Sequence, residues 1–120
     1  MPVQTQLASI AAWNDEVHVQ ANRQLYREKF DAMLEILSPV MDVQRPDGGF
    51  YLWPKTPVDD QLFTRELYAC EHVTVVPGSY LSREVDGVSP GTGRVRMALV
   101  APLEDCVEAA ERIRAFITTL

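Results

Sequence analysis

The chain has 120 residues and is 47% hydrophobic, enough for one domain around one core and too apolar for a disordered segment. Its formal net charge of −6, with the basic residues scattered among acids, excludes a nucleic-acid partner, which requires clustered Lys and Arg to neutralise phosphates. No basic stretch followed by an apolar core opens the chain, and no apolar run approaches bilayer length, so the expectation is a cytoplasmic protein with no membrane partner.

In chain order, the apolar, alanine-rich stretch from Gln4 to Trp13 predicts a first helix. Asn14 then offers a cap before Asp15 and Glu16, whose charges suit the first turn of a second helix. Tyr26, Phe30, Met33, Leu34 and Leu37 recur at helical spacing, and Ser38-Pro39 ends the run. Val40 to Gln44 and Gly49 to Trp53 have strand character and are joined by Arg45-Pro46-Asp47-Gly48, which predicts an antiparallel hairpin. Asp59 or Asp60 caps a third helix with Phe63, Leu67 and Cys70 on one side and His72 closing it.

Val73 to Val76 predicts a buried strand stopped by Pro77-Gly78, and Ser79 to Gly93 predicts a long loop. Arg94 to Val100 alternates with Val95, Met97 and Leu99 on one face. Leu103, Cys106, Val107, Ala110, Ile113 and Ile117 make a last amphipathic helix. The order ααββαββα predicts a two-layer α+β sandwich, a small and mainly antiparallel sheet with helices on one face. Residues 1–120 form a single domain, in which residues 1–13 are a helix that the rest need not bury.

Chemistry-bearing residues are few. Cys70 and Cys106 lie in helical patterns and are expected to be reduced core residues. His18 and His72 lack neighbouring ligands at metal spacing, so no metal site is expected and both read as surface or capping residues. Gly91-Thr92-Gly93 leads into a strand, whereas a phosphate cradle leads into a helix. No Gly-x-Ser-x-Gly elbow occurs, and neither cysteine has a histidine at a telling spacing, so the chain carries no visible catalytic apparatus of its own. Arg96 is mid-strand, opposite the apolar face and beside Arg94, Ala98 and Val100. A guanidinium there suits bidentate capture of a carboxylate, and the alternative is a strand arginine paired with a surface Asp or Glu. Gly48-Gly49-Phe50-Tyr51-Leu52-Trp53 fits either aromatic cover over a cavity or core packing.

Taken in order, Gly48-Gly49-Phe50-Tyr51-Leu52-Trp53, Val73-Thr74-Val75-Val76-Pro77-Gly78-Ser79-Tyr80 and Gly93-Arg94-Val95-Arg96-Met97-Ala98-Leu99 resemble the C-terminal third of class I/II pyridoxal-phosphate aminotransferases. Ala8 to Trp13, Tyr26 to Asp31 and Pro77 to Glu84 resemble the succinyldiaminopimelate aminotransferases of bacterial lysine biosynthesis. By this resemblance Arg96 grips the substrate α-carboxylate, while the Schiff-base lysine and the residues that bind pyridoxal phosphate belong to a large domain absent from this chain. Neither Lys29 nor Lys55 has the family's serine-rich lysine motif around it. The resemblance therefore implies a substrate-orienting domain, inactive alone and holding no cofactor tightly. Its partners would be the large domain and an amino-acid or 2-oxo-acid substrate in a homodimeric enzyme, with residues 1–13 connecting to that domain. A stand-alone regulatory domain that binds amino acids is the alternative function, and an interaction module using the apolar first helix is a third.

Overall fold

Asp15, not Asn14, opens the long second helix. In the computed structural model, which describes residues 1–120, α1 spans Val3–Trp13 and ends at Asn14, whose N–H donates to the Ile10 carbonyl while the Asp15 N–H donates to that of Ala12. The Asp15 carboxylate then accepts the Val17 N–H at 3.0 Å, supplying the partner that a helix start lacks, and α2 runs over Glu16–Leu37. Phe30, Met33 and Leu37 are buried on one stripe of α2, and Tyr26, Leu34 and Ile36 pack beside them. Helix α1 buries nothing: Val3, Leu7, Ile10 and Trp13 all face outward.

Residues 40–44 are not a strand, so the hairpin expected with Gly49–Trp53 does not form. Met41 is buried and Val43 packs against the core, and the segment makes one bond toward the expected partner, from Lys55 N–H to the Asp42 carbonyl. Side-chain burial holds this stretch while the next segment pairs elsewhere. Strand β1 (Tyr51–Leu52) is antiparallel to β3 (Val95–Ala98), with Tyr51 opposite Ala98 and Leu52 opposite Met97. Strand β2 (Val76–Pro77) lies antiparallel on the other edge of β3, giving the order β1-β3-β2. Of the strand expected over Val73–Val76, only Val76 joins the ladder.

Helix α3 (Asp60–Glu71) is capped by Asp59, which accepts the Leu62 N–H at 3.0 Å. His72 closes it in the left-handed region at φ 56°. Cys70 is exposed, against the expectation of a core residue, because the buried stripe of α3 stops at Leu67; Cys106 is buried as expected. Helix α4 covers Leu103–Thr118. Leu52, Val95, Met97 and Leu99 point from the sheet into a layer made by α2, α3 and α4, where Phe63 and Phe116 meet edge to face at 5.5 Å. Each such side chain withdrawn from water contributes about 1.5–3 kcal/mol. The expected two-layer α+β sandwich, with an antiparallel sheet and helices on one face, is the fold found.

One close approach locks the sheet to the turn after β2. A Cβ added at Gly78 would overlap the Gly91 carbonyl oxygen, and it would lie 2.8 Å from the Arg94 carbonyl oxygen and 2.9 Å from the Trp53 ring. Backbone atoms there have nowhere to go. Gly78→Ala is expected to lower stability by about 3 kcal/mol, read as a drop in the midpoint of urea denaturation. A wild-type midpoint would show that the turn can open at no cost.

Candidate functional site

The alternation of β3 fixes what its outer face presents. Val95, Met97 and Leu99 are buried against the helices, which leaves Arg94, Arg96 and Ala98 on the opposite face. Arg94 is spent internally, its Nη1 donating to the Trp53 carbonyl at 2.8 Å. Arg96 is half-buried with its guanidinium carbon 4.8 Å from the Tyr51 ring centroid, a cation–π contact across the β1–β3 pair. Its side chain makes no hydrogen bond, and the buried Nε has no partner. The six ion pairs of the protein all involve other residues, so the surface Asp or Glu that would explain a purely structural strand arginine is not there.

The aromatic segment divides between the two layers. Leu52 enters the core, whereas Phe50, Tyr51 and Trp53 remain partly exposed. Phe50 packs on Tyr51 with ring centroids 4.3 Å apart and approaches Tyr26 at 6.0 Å. Gly49 precedes them at φ 79°, a backbone conformation that glycine adopts without strain. The Tyr51 ring, packed against Phe50, therefore forms the surface on which the Arg96 guanidinium lies.

Sequence reasoning offered Asp60 only as a helix cap, and the structure gives it a larger part. Its carboxylate is 1% exposed and accepts two backbone N–H groups from different segments, Ser79 at 2.9 Å and Gly93 at 3.1 Å. Gly93 directly precedes the arginine strand, so one carboxylate ties the start of α3 to the turn after β2 and to the entry of β3. Burial alone would raise the Asp60 carboxyl. The Ser79 backbone and hydroxyl and the Gly93 amide outweigh it and hold the group below the usual 3.8. No spacing signal reveals such a residue, because its partners are 19 and 33 positions away.

The long loop is ordered by short-range bonds. Gly78–Tyr80 makes a 3-10 turn, and Asp86 and Gly87 at φ 51° and 78° close a tight hairpin between Val85 and Val88. The Ser82 and Ser89 hydroxyls lie 2.7 Å apart, and the Gly91 N–H donates to Ser82 Oγ.

The remaining candidates are engaged in packing or surface pairs. Cys106 donates to the Ala101 carbonyl, and burial pushes its thiol up, with Lys29 opposing, so it is not poised as a thiolate. His18 pairs with Asp15 at 3.0 Å. No three His, Cys, Asp or Glu side chains converge on a metal-binding position. Pyridoxal phosphate needs an amine that can form an imine beside a phosphate cradle. Lys29 Nζ donates to the Leu99 carbonyl at 3.1 Å and lies over the Tyr26 ring, while Lys55 pairs with Asp42 at 3.4 Å beside Arg94. Neither lysine sits beside such a cradle, and the residues of this chain do not fit the cofactor.

The Asp60 geometry carries a pH signature. A carboxyl held below its unfolded value stabilises the fold at neutral pH, and that contribution is lost as pH falls through the folded value. Stability is expected to be flat from neutrality to about pH 5 and to fall below about pH 4. Asp60→Asn, whose amide can accept at only one atom, should cost about 2 kcal/mol at pH 7 and flatten the acid limb. Urea titrations of both proteins between pH 7 and pH 3 check this, and superimposable acid limbs would refute it.

Comparison with known proteins agrees with this architecture. No protein-family model matches the sequence. An LL-diaminopimelate aminotransferase of Aquifex aeolicus (strain VF5) is 34% identical over 111 residues, 89% of this chain and 27% of the relative. An aminotransferase structure from Neisseria meningitidis Z2491 superimposes with a TM-score of 0.92 at 48% identity, over 97% of this chain and 30% of that one. A Thermus thermophilus structure described as a probable N-succinyldiaminopimelate aminotransferase gives a TM-score of 0.71 at 37% identity, over 85% of this chain and 26% of that one. The chain thus spans between about a quarter and a third of the length of the proteins it matches. In sequence and in fold the chain is thus similar to one part of each of these aminotransferases.

Proposed function

We propose that this chain is the substrate-orienting domain of a pyridoxal-phosphate-dependent aminotransferase, and that Arg96 binds the α-carboxylate of the amino-acid and 2-oxo-acid substrates. The observation that carries this reading is a guanidinium on an otherwise rigid strand, laid on an aromatic ring, with no acid of its own. Such a group offers a planar fork of donors to a carboxylate, and the strand holds the fork in one orientation. The cofactor would supply the electron sink for transamination and would be held by a large domain outside this chain, to which α1 connects. Holding the substrate acid while the amino-bearing carbon faces the cofactor is a positioning contribution. The rings of Phe50 and Tyr51 and the loop after Tyr80 would help to exclude water as the two domains close. The intact enzyme would be a homodimer.

For the substrate, we favour a diaminopimelate-type amino acid, in its N-succinyl form. Relatives that carry both descriptions, LL-diaminopimelate and N-succinyldiaminopimelate aminotransferase, support that class.

Three measurements test the reading. In an enzyme formed by joining this chain to a cofactor-binding large domain, Arg96→Ala should lower kcat/KM by about a hundredfold to a thousandfold, the loss of a charge-assisted bidentate contact. The circular dichroism spectrum should not change, and an unchanged kcat/KM would reject the assignment. Titration of the isolated chain with pyridoxal phosphate, followed by borohydride reduction and peptide mapping, should trap no specific lysine. Stoichiometric modification of Lys29 or Lys55 would place a cofactor site on this chain. Tight calorimetric binding of a free amino acid without cofactor would instead identify a regulatory domain.

A further inference from the structure

An arginine with no acid to hold it takes its orientation from whatever it rests on. The Arg96 side chain rests on the Tyr51 ring, 4.8 Å from its guanidinium carbon, and its Nε has no other partner. A long, flexible arm of this kind samples many rotamers in water, so the seat of that ring decides where the fork of donors points. Tyr51 is seated in turn by Phe50, with ring centroids 4.3 Å apart, and Phe50 by Tyr26 at 6.0 Å. Phe50 and Tyr51 are each 37% exposed, so the sheet alone leaves both rings room to turn.

Tyr26 is where the helical layer enters this stack. It lies one turn before Phe30 on the stripe of α2 that Phe30, Met33 and Leu37 bury, and it packs against the core from its margin. Lys29 stands one turn further along α2, with Nζ 4.8 Å from the Tyr26 ring centroid. The same ammonium donates to the Leu99 carbonyl at 3.1 Å, and the Leu99 N–H donates to the Phe50 carbonyl at 3.0 Å. Two ring contacts and two hydrogen bonds thus close a circuit through Tyr26, Phe50, Leu99 and Lys29. Phe50 is held by its backbone and by its ring, and a single turn of α2 clamps the end of the β1–β3 pair.

We infer that Tyr26 is a positioning residue for Arg96: seated by Lys29, its ring holds Phe50 and Tyr51 in place and so fixes the orientation of the guanidinium on the outer face of the sheet. It acts through two intervening rings. With the stack intact, an incoming carboxylate meets a fork of donors that is already aimed; with the stack broken, the fork is ordered only on binding, and that cost falls on affinity. The consequence for substrate rests on the carboxylate-binding role proposed for Arg96, whereas the orientation of the guanidinium is a property of this chain alone.

Two readouts separate the geometry from its use. In the full chain, the NMR resonance of the Arg96 Nε–H should lie apart from its position in Tyr51→Leu, which removes the ring beneath it. Tyr26→Leu should move the resonance toward that position, and Tyr26→Phe should keep it where the wild type has it. Leu34→Ala, which loosens α2 away from the stack, should leave it unmoved. In the enzyme formed by joining this chain to a large domain, Tyr26→Leu should raise KM about tenfold with kcat within about twofold of wild type, and Tyr26→Phe should restore KM. The inference is overturned by a wild-type resonance that coincides with that of Tyr51→Leu, by no movement in Tyr26→Leu, or by equal movement in Leu34→Ala or Tyr26→Phe. A wild-type KM for Tyr26→Leu, in an enzyme that Arg96→Ala disables, overturns it as well. If Arg96→Ala leaves kcat/KM unchanged, the carboxylate role of Arg96 is what fails, and the resonances alone decide whether Tyr26 orients it.

Discussion

The arrangement of this domain depends on one buried carboxylate. Asp60 sits at the first residue of α3, where a negative charge is favoured by the exposed N–H groups of the helix start, and it reaches out of the helix to hold two other segments. Without it the Ser79 and Gly93 amides would be buried or half-buried donors without acceptors. Their partnership brings the Gly78 turn against Gly91, and that contact is so close that neither position admits a side chain. Everything downstream inherits this placement: β3 leaves Gly93 in a defined direction, its alternate side chains enter the core, and Arg96 is delivered to the outer face.

The periodic signals were legible. Helix α2 carries a stripe at helical spacing and ends where Ser38-Pro39 ends it, and the alternation from Arg94 to Val100 put the arginines and the aliphatic residues on opposite faces. Local chemistry was less reliable at boundaries. Asn14 and Asp15 are both good capping residues, and their order along the chain did not say that one closes α1 while the other opens α2. The expected hairpin failed for a tertiary reason: β1 finds a better partner 45 residues away in β3, and residues 40–44 then have a core to cover instead of a strand to pair with. Asp60 escaped notice because long-range hydrogen bonds leave no periodic trace in sequence. Cys70 was misplaced because helical spacing records which side a residue is on, not where the opposing layer ends.

Two faces of the sheet have different characters, and the difference bears on function. The helix-covered face is ordinary apolar core. The outer face is a lattice of rings and guanidinium groups, with Arg94 bonded into the backbone and Arg96 resting on Tyr51. An arginine that is merely structural becomes neutralised by an acid or by carbonyl groups, as Arg94 and Arg112 are here. Arg96 departs from that pattern, on a strand whose position is set from both ends by pairing and by the Asp60 clamp.

The ring beneath Arg96 has a consequence for selectivity. A guanidinium already paired with a protein carboxylate can take a ligand acid only by exchange, and the resident acid then sets a threshold for binding. Tyr51 stabilises the charge through its π face while leaving the planar fork of donors uncommitted. In the proposed role, an incoming carboxylate would therefore displace only water and mobile counterions. The threshold at this surface would then be set by the solution: its occupancy would follow the concentration of competing small anions, with the ionic-strength sensitivity of an open electrostatic contact.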